Sequence, residues 1–307
     1  MKDWVRAAEL ENKLKNYRVN GKPLPGISTS TELKTLVRQM LDSISRIEYV
    51  KVISKRPLSP RRLDPKDGEM FDPLKAAIIY MRSGNEDEAF WLVFLFVLCG
   101  KHLKKQYGLL RMIYGAFNDQ FTWTWNEFSK DPSRFSFWLH QNIEKIEQRR
   151  KEFPFGNHRK YESLRGIDTV LSSYAAWIGS SKSHIHFINI AKAAVGSDPK
   201  ILFDHLYKSM SAVYRFGRVG KFDYLTMLGK IGLVDIAPPS AYLVDATGPV
   251  AGAKLLFGGV AGGKTTKRDL DRLSIQLDET LGVGMQVIED ALCNWQKSPN
   301  SYIGFRG

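Results

Sequence analysis

Apolar and polar positions repeat with the period of helices along almost the whole chain. Residues 3–17 read as a helix with a broad polar face. Between 31 and 47, Leu33, Val37, Leu41, Ile44 and Ile47 share one face behind a Ser/Thr-rich start, which predicts an amphipathic helix. Asp72-Pro73, Asp131-Pro132 and Asp198-Pro199 each predict a helix start. Aspartate accepts from the first unpaired N–H groups, and proline is tolerated at the first helical position. These three starts predict helices over 73–82, 132–148 and 199–213, with the aspartates as structural acids. An apolar helix over 86–104 and a second near 107–117 fall between the first two. Leu270, Leu273, Leu277 and Leu281 form the core stripe of a helix over 266–281, with a threonine cap and Asp269 three residues on. A last helix covers 283–297. It mixes Gln286, Glu289, Asp290, Asn294 and Trp295 with Val287, Ile288, Leu292 and Cys293, a surface helix that is also suited to lining a cleft. The best strand candidate is the short stretch Tyr49 to Ile53. The expectation is a mostly α protein of two intimate lobes with a basic cleft between them. N-terminal helices and a basic linker occupy 1–69. A helical domain follows over 70–307, with lobes of about 70–155 and 156–307.

Charge changes this picture more than composition does. The 307 residues carry a net charge of +13, which points to a polyanionic partner, nucleic acid before others. The two cysteines, Cys99 and Cys293, have no metal-ligand spacing, which argues against a zinc site or a disulfide framework and fits a reducing cytoplasm. The N-terminal segment is charged and lacks the apolar core of a signal peptide. The longest apolar run, Phe90 to Cys99, has about half of the ~20 residues that a membrane span needs and reads as a buried helix.

Two basic segments stand out. Residues 54–66 are basic and interrupted by Pro57, Pro60 and Pro65, which forbid a helix interior; they suit either a phosphate-gripping loop or a solvated linker. Residues 145–165 form the second. Pro154 and Gly156 break the helix, and Asn157, His158, Arg159, Lys160 and Tyr161 follow the turn. Exposed N–H groups and cations at such a turn suit phosphate. The aromatic segment 121–128, FTWTWNEF, reads as core rather than as a base-stacking platform, because no cations interleave it. His184 and His186 alternate and share no helix face, so they read as structural.

Gly258 to Thr265, GGVAGGKT, matches the G-x-x-x-x-G-K-[ST] pattern of a phosphate-binding loop with Lys264 as its lysine. The β-α alternation that such a loop needs is missing around it, and the residues after it read as two helices. It reads as a glycine-rich loop.

The stretch from Tyr214 to Gly259 organises the rest. Tyr214, Arg215, Phe216, Arg218, Lys221 and Phe222 come first. A short helical pattern with Gly229 and Gly232 follows, then a Pro-Pro corner, and then VDATGP from Val244 to Pro249. Together with FGNHRKYESL at 155–164 and LGVGMQVIEDALCNWQKSP at 281–299, this stretch resembles the α-glutamyl/putrescinyl-thymine pyrophosphorylase family, phage-type DNA hypermodification enzymes also described as amino acid:DNA transferases. The resemblance covers roughly 70–300 and is strongest after 155. It implies an all-helical relative of helix-hairpin-helix DNA glycosylases, working in the cytoplasm of an infected bacterial host. It also implies a reaction. An amine, from an amino acid or putrescine, displaces pyrophosphate from a pyrophosphorylated 5-hydroxymethyl group on a thymine-like base in DNA. Leu228-Gly229-Lys230-Ile231-Gly232 then corresponds to the glycosylase hairpin, with Lys230 where its first key glycine is expected. Asp245 matches the glycosylase aspartate, at a shorter spacing.

The residue types suit that chemistry. Arg159, Lys160, Arg215, Arg218 and Lys221 can stabilise the leaving pyrophosphate, with Asn157, His158 and Lys230 as further DNA contacts. A carboxylate can take the proton of the amine; Asp245 is the first candidate, then Asp223, then Glu162. Tyr161, Phe216, Phe222 and Trp295 are candidates for a pocket around an extrahelical base. No metal site is read, although magnesium would suit a pyrophosphate. Asp245 is alternatively an N-cap of a helix over 248–257, and Asp223 a surface partner of Arg218 or Lys221. Base excision by a DNA glycosylase, DNA binding without catalysis, and a nucleotide-binding enzyme built on Lys264 are the competing readings.

Overall fold

The computed structural model describes residues 2–118, 121–159, 162–258 and 265–304, with the backbone alone at Lys2, Asp3, Asn118 and His158. Its helices begin with α1 (Lys2–Asn16), α2 (Ser30–Ile53), α3 (Pro73–Arg82), α4 (Glu86–Cys99) and α5 (Gly108–Tyr114). Next come α6 (Trp125–Lys130), α7 (Pro132–Gln148), α8 (Ile167–Ile178), α9 (His184–Val195) and α10 (Pro199–Ser209). The chain continues through α11 (Arg218–Ile231), α12 (Gly248–Phe257), α13 (Lys267–Leu281) and α14 (Met285–Trp295). The protein is mostly α. Two-residue strands β1 (Arg18–Val19) and β2 (Lys22–Pro23) form a small antiparallel hairpin.

The predicted helix starts are built as their chemistry requires. The carboxylates of Asp72, Asp131 and Asp198 each accept from N–H groups of the first turn, with proline next in line. Thr266 and Asp269 form a reciprocal capping box on α13. Tyr49 to Ile53 is not a strand: α2 runs through it to Ile53. The apolar spacing of Ile44 and Ile47 carries the helix on, and no neighbouring strand competes for its backbone. The helix expected over 86–104 stops at Cys99, because Gly100 turns into positive φ. The one expected near 107–117 ends at Tyr114. That expected over 199–213 ends at Ser209 and closes with a 3-10 turn over Met210–Ala212.

Contacts divide the chain into two compact units. One holds Met1–Val50 with Ala237–Arg306, and the other Lys51–Ile236. This grouping and the chain-order division at about 69 and 155 cut the chain at different places. In the first unit Leu33, Leu36, Val37 and Met40 of α2 join a core with Val250, Ala253 and Leu256 of α12, Leu270 and Leu277 of α13, and Ile288, Leu292 and Trp295 of α14. Asp290 of α14 accepts from Ser43 and Arg46 of α2.

The second unit is assembled around α4, which is buried on every side from Glu88 to Leu95 and packs against α3, α5, α6, α9 and α11. Its core is aromatic. Trp91 stacks on Phe128 at 4.7 Å, and Phe94 on Tyr174 at 3.7 Å. The basic segment 54–66 is held down: Arg82 donates to the carbonyls of Ser54 and Arg56, and Arg111 to those of Pro65 and Lys66. Among the described residues no helix is long and apolar enough to cross a membrane.

Candidate functional site

In the second unit the second basic cluster folds back onto the end of α4. The Gly156 N–H donates to the Cys99 carbonyl at 2.8 Å. A Cβ at Gly156 would lie 2.5 Å from the Lys101 nitrogen, so only glycine permits this approach. Arg159 completes the attachment. Its Nε donates to the Val97 carbonyl at 2.8 Å and a terminal nitrogen to Asp223 Oδ2 at 2.9 Å. A helix end leaves its last carbonyls without partners, and here the loop supplies two of them. Arg159 is only 12% exposed, while Asp223 on α11 is 48% exposed. A second pair lies further along the loop: Arg215 donates to Glu162 Oε2 at 3.3 Å and to the Arg165 carbonyl at 2.9 Å. Two of the three candidate acids are thus joined to two of the candidate cations. Asp223 finds its partner in Arg159, far along the chain.

Beside this loop is a groove of about 830 Å³ lined by His102, Glu147, Gln148, Arg150, Lys151, Pro154, Phe155 and Asn157. Backbone N–H groups of Lys104 and Lys105 donate to His102 Nδ1, which leaves the ring proton of the neutral imidazole on Nε2. Glu147 is paired with Arg165, and that bond holds its carboxyl below the usual range. The groove suits an anionic strand.

The other candidates on α11 contact that helix and the end of α10. Lys221 donates to Ser211 and lies 4.3 Å over the Tyr207 ring, and Arg218 lies over Phe222 at 5.5 Å. Lys230 occupies the last turn, where a cation complements the helix dipole. Gly232 closes α11 in the left-handed conformation at φ 83°, and the Leu233 N–H returns to the Leu228 carbonyl. Gly232 is therefore a helix C-cap, Gly229 lies within α11 against the Ile236 carbonyl, and the next α-helix starts at Gly248.

Three of the expected base-pocket rings are core side chains. Phe216 packs on Phe94, Phe222 lies against Phe203, and Trp295 is fully buried in the first unit. Lys160, Tyr161 and Lys264, together with the His158 side chain, lie outside what is described.

Asp245 belongs to the first unit. It is exposed on a 3-10 turn over Leu243–Asp245. Thr247 precedes α12, whose start has no side-chain cap, so Asp245 is not serving as an N-cap. Among the described residues it makes neither a hydrogen bond nor an ion pair. Lys267 fixes the turn from below by donating to the Val244 and Ala246 carbonyls.

Sequence reasoning missed a buried polar network at the start of α4. Glu88 is 3% exposed. Its Oε1 accepts from the Tyr114 hydroxyl at 2.6 Å, and its Oε2 from the Trp125 N–H at 2.7 Å. Burial pushes its carboxyl up to about 7, against those two bonds. Asp87 Oδ1 accepts from both the backbone N–H and Nδ1 of His184, at 2.6 and 2.8 Å. His184 Nε2 then accepts from Tyr174, whose oxygen accepts in turn from Tyr224, each at 2.7 Å. Burial lowers the His184 pKa, keeping the ring neutral, although Asp87 pulls the other way. Burial also opposes ionisation of Asp87, but the His184 bonds leave its carboxyl below the ordinary value. The available signal was the pair of acids inside an otherwise apolar helical run. Among the described residues no cluster of three His, Cys, Asp or Glu side chains is placed to hold a metal.

No curated protein and no solved structure matches the chain. A family model does match, from residue 31 to 307, nearly the full length of a chain whose segments around Asn157, Arg218 and Asp245 resemble the same group. The chain belongs to the alpha-glutamyl/putrescinyl thymine pyrophosphorylase clade 3 family.

Proposed function

We propose that this chain replaces the pyrophosphate of 5-(pyrophosphoryloxymethyl)uracil in DNA with an amine, from an amino acid or a polyamine. Membership of the family supports the coarser part, a pyrophosphorylase-type role in thymine hypermodification on DNA. The attacking nitrogen forms a bond to the 5-methylene carbon. The carbon–oxygen bond breaks, and its electron pair leaves with pyrophosphate. The proton lost by the amine goes to a carboxylate. The basic groove beside Asn157 supplies a positive field for the DNA strand.

The observation that carries the choice of base is how the candidate acids are partnered. Asp223 and Glu162 each hold an arginine, so both carboxylates are already engaged in an ion pair. Asp245 is exposed and holds none among the described residues, so it is assigned the proton. Duplex DNA bearing the pyrophosphorylated base, incubated with the protein and a pool of amino acids and polyamines, tests this by nucleoside mass spectrometry. The expected product is the 5-methylene base plus one amine, with pyrophosphate released and no added ATP. Abasic sites instead of a heavier nucleoside would turn the assignment to base excision. Unchanged nucleosides on DNA that the protein binds would remove the transferase claim for this substrate.

A further inference from the structure

The aromatic segment around Trp123 does more than fill the core. A pocket of about 400 Å³ opens at the first turns of α7, lined by Ala116, Phe121, Trp123, Ser133, Arg134, Phe137 and Trp138. That size is within the range of small-ligand sites. Its walls are fixed from behind. The Trp123 N–H donates to the Tyr114 carbonyl, the Trp123 carbonyl accepts from the Trp91 indole, and Phe135 meets the Trp123 ring edge to face at 5.3 Å. One feature stands out: Phe137 is 68% exposed, a large ring presented to solvent beside the pocket.

Cations missing from the segment in sequence are supplied to it in space. Arg134 stands 5.8 Å from the Phe121 ring, Lys145 4.7 Å from Phe117, and Arg149 4.9 Å from Phe153. Phe117 and Phe121 come from the connection between α5 and α6, Phe153 from the one after α7, and the cations from α7 and its C-cap. Phe117 itself is held with φ at 65°, a conformation that a ring-bearing residue adopts at some cost. Aromatic faces interleaved with cations along one track are what a single nucleic-acid strand uses, because every base has a face to stack. Arg134 and Arg149 also meet Glu127 and Glu152, exposed pairs that a phosphate can displace at small cost. The α7 track ends at Gln148 in the basic groove. From Arg134 to Gln148 the helix rises about 21 Å, the span of roughly six nucleotides at duplex spacing.

We infer that the pocket at the start of α7 seats an unpaired base of the DNA strand, stacked on Phe137, while the same strand runs along α7 to the basic groove. The inference rests on DNA being the substrate, but not on Asp245 or on transfer of an amine. It is tested with the full chain and two unmodified probes of about twelve nucleotides, oligothymidylate and its abasic counterpart. Binding is followed by anisotropy across a salt series. The wild type is expected to prefer the base-bearing strand. Phe137→Ala should weaken that binding roughly 5- to 100-fold, with an unchanged salt slope and no effect on the abasic strand. Lys151→Ala should weaken both probes and reduce the salt slope by about one. Oligothymidylates shorter than roughly six nucleotides should lose the Lys151 contribution. Because Phe137 is exposed, its variant reports without unfolding, and an unchanged melting curve confirms this. Equal affinity for the two probes, or wild-type binding by Phe137→Ala, overturns the inference. A chain that makes the aminated product yet binds both probes equally keeps its activity and loses this pocket. One that binds as expected but makes no product keeps the pocket and loses the activity.

Discussion

Two acidic sites, one in each compact unit, show opposite uses of a carboxylate. At the start of α4, Glu88 is buried in the aromatic core and Asp87 half-buried beside it, with Tyr114, Trp125 and His184 as their partners. At the turn before α12, Asp245 is exposed and has no partner among the described residues. A buried acid with partners is expensive to disturb and slow to exchange protons with a substrate. An exposed acid without partners contributes little to folding and is ready for chemistry. The first therefore belongs to stability, and the second is the acid proposed for the reaction.

The largest expected effect breaks the comparison on the side of activity. Asp245→Asn keeps the shape of the turn but cannot take a proton. Product formation in the mass-spectrometric assay should fall about 10²- to 10⁴-fold, with the midpoint of denaturant unfolding unchanged. A melting loss comparable to the loss of product would show that Asp245 is structural after all.

His184→Ala should do the reverse. It removes a ring stacked on Phe90 at 4.8 Å and strips Asp87 and Tyr174 of their shared partner. A stability loss of about 3 kcal/mol is expected from the cavity and the unpaired polar groups together, read as a lower denaturant midpoint. Transfer per folded molecule should persist.

Glu88→Gln sharpens the contrast through pH. A carboxyl raised from its ordinary value of 4.5 to about 7 by burial holds its proton in the folded state while the unfolded chain has already released it. The folded state then binds more protons between those values, so the group's contribution falls as pH rises from about 4.5 to 7. The loss amounts to roughly 3 kcal/mol as an upper bound. His184 acts in the opposite sense, because a lowered pKa removes stability as pH falls below 6.5. Comparing wild type with Glu88→Gln at each pH isolates the carboxyl. The amide can still accept from Trp125 and donate to Tyr114, as the protonated acid does, so the variant should gain on the wild type as pH rises. Parallel pH profiles would mean that Glu88 is ionised throughout.

What was legible in the chain follows from the range of each interaction. Asp72, Asp131, Asp198 and Thr266 act on N–H groups two or three residues away, so short-range chemistry marked those helix starts directly. Phe121 and Arg134 meet across a helix boundary, Asp223 and Arg159 across 64 residues, and Glu88 meets Tyr114 through the core. No local pattern encodes such meetings. The burial of Phe216, Phe222 and Trp295 was hidden for a related reason. An aromatic ring beside cations reads alike whether it faces a ligand or the interior, and only packing separates the two. The strand expected at Tyr49 to Ile53 failed because β-branched and aromatic residues favour a strand only where a partner strand exists, and α2 had no reason to stop.

The smallest expected effect concerns the pair that stands between the two extremes. Asp223 is half exposed but bound to Arg159, whose Nε also anchors the loop to Val97. A double-mutant cycle with Arg159→Lys and Asp223→Asn isolates the pair from the anchor. Its coupling should be about 1 kcal/mol or less, since one partner is open to solvent. Asp223→Asn should leave product formation within a few-fold of the wild type, because the acid orients the loop and takes no proton. If Asp223→Asn instead falls as far as Asp245→Asn, both acids act on the amine, and having a partner no longer separates the acids that fold this protein from those that work in it.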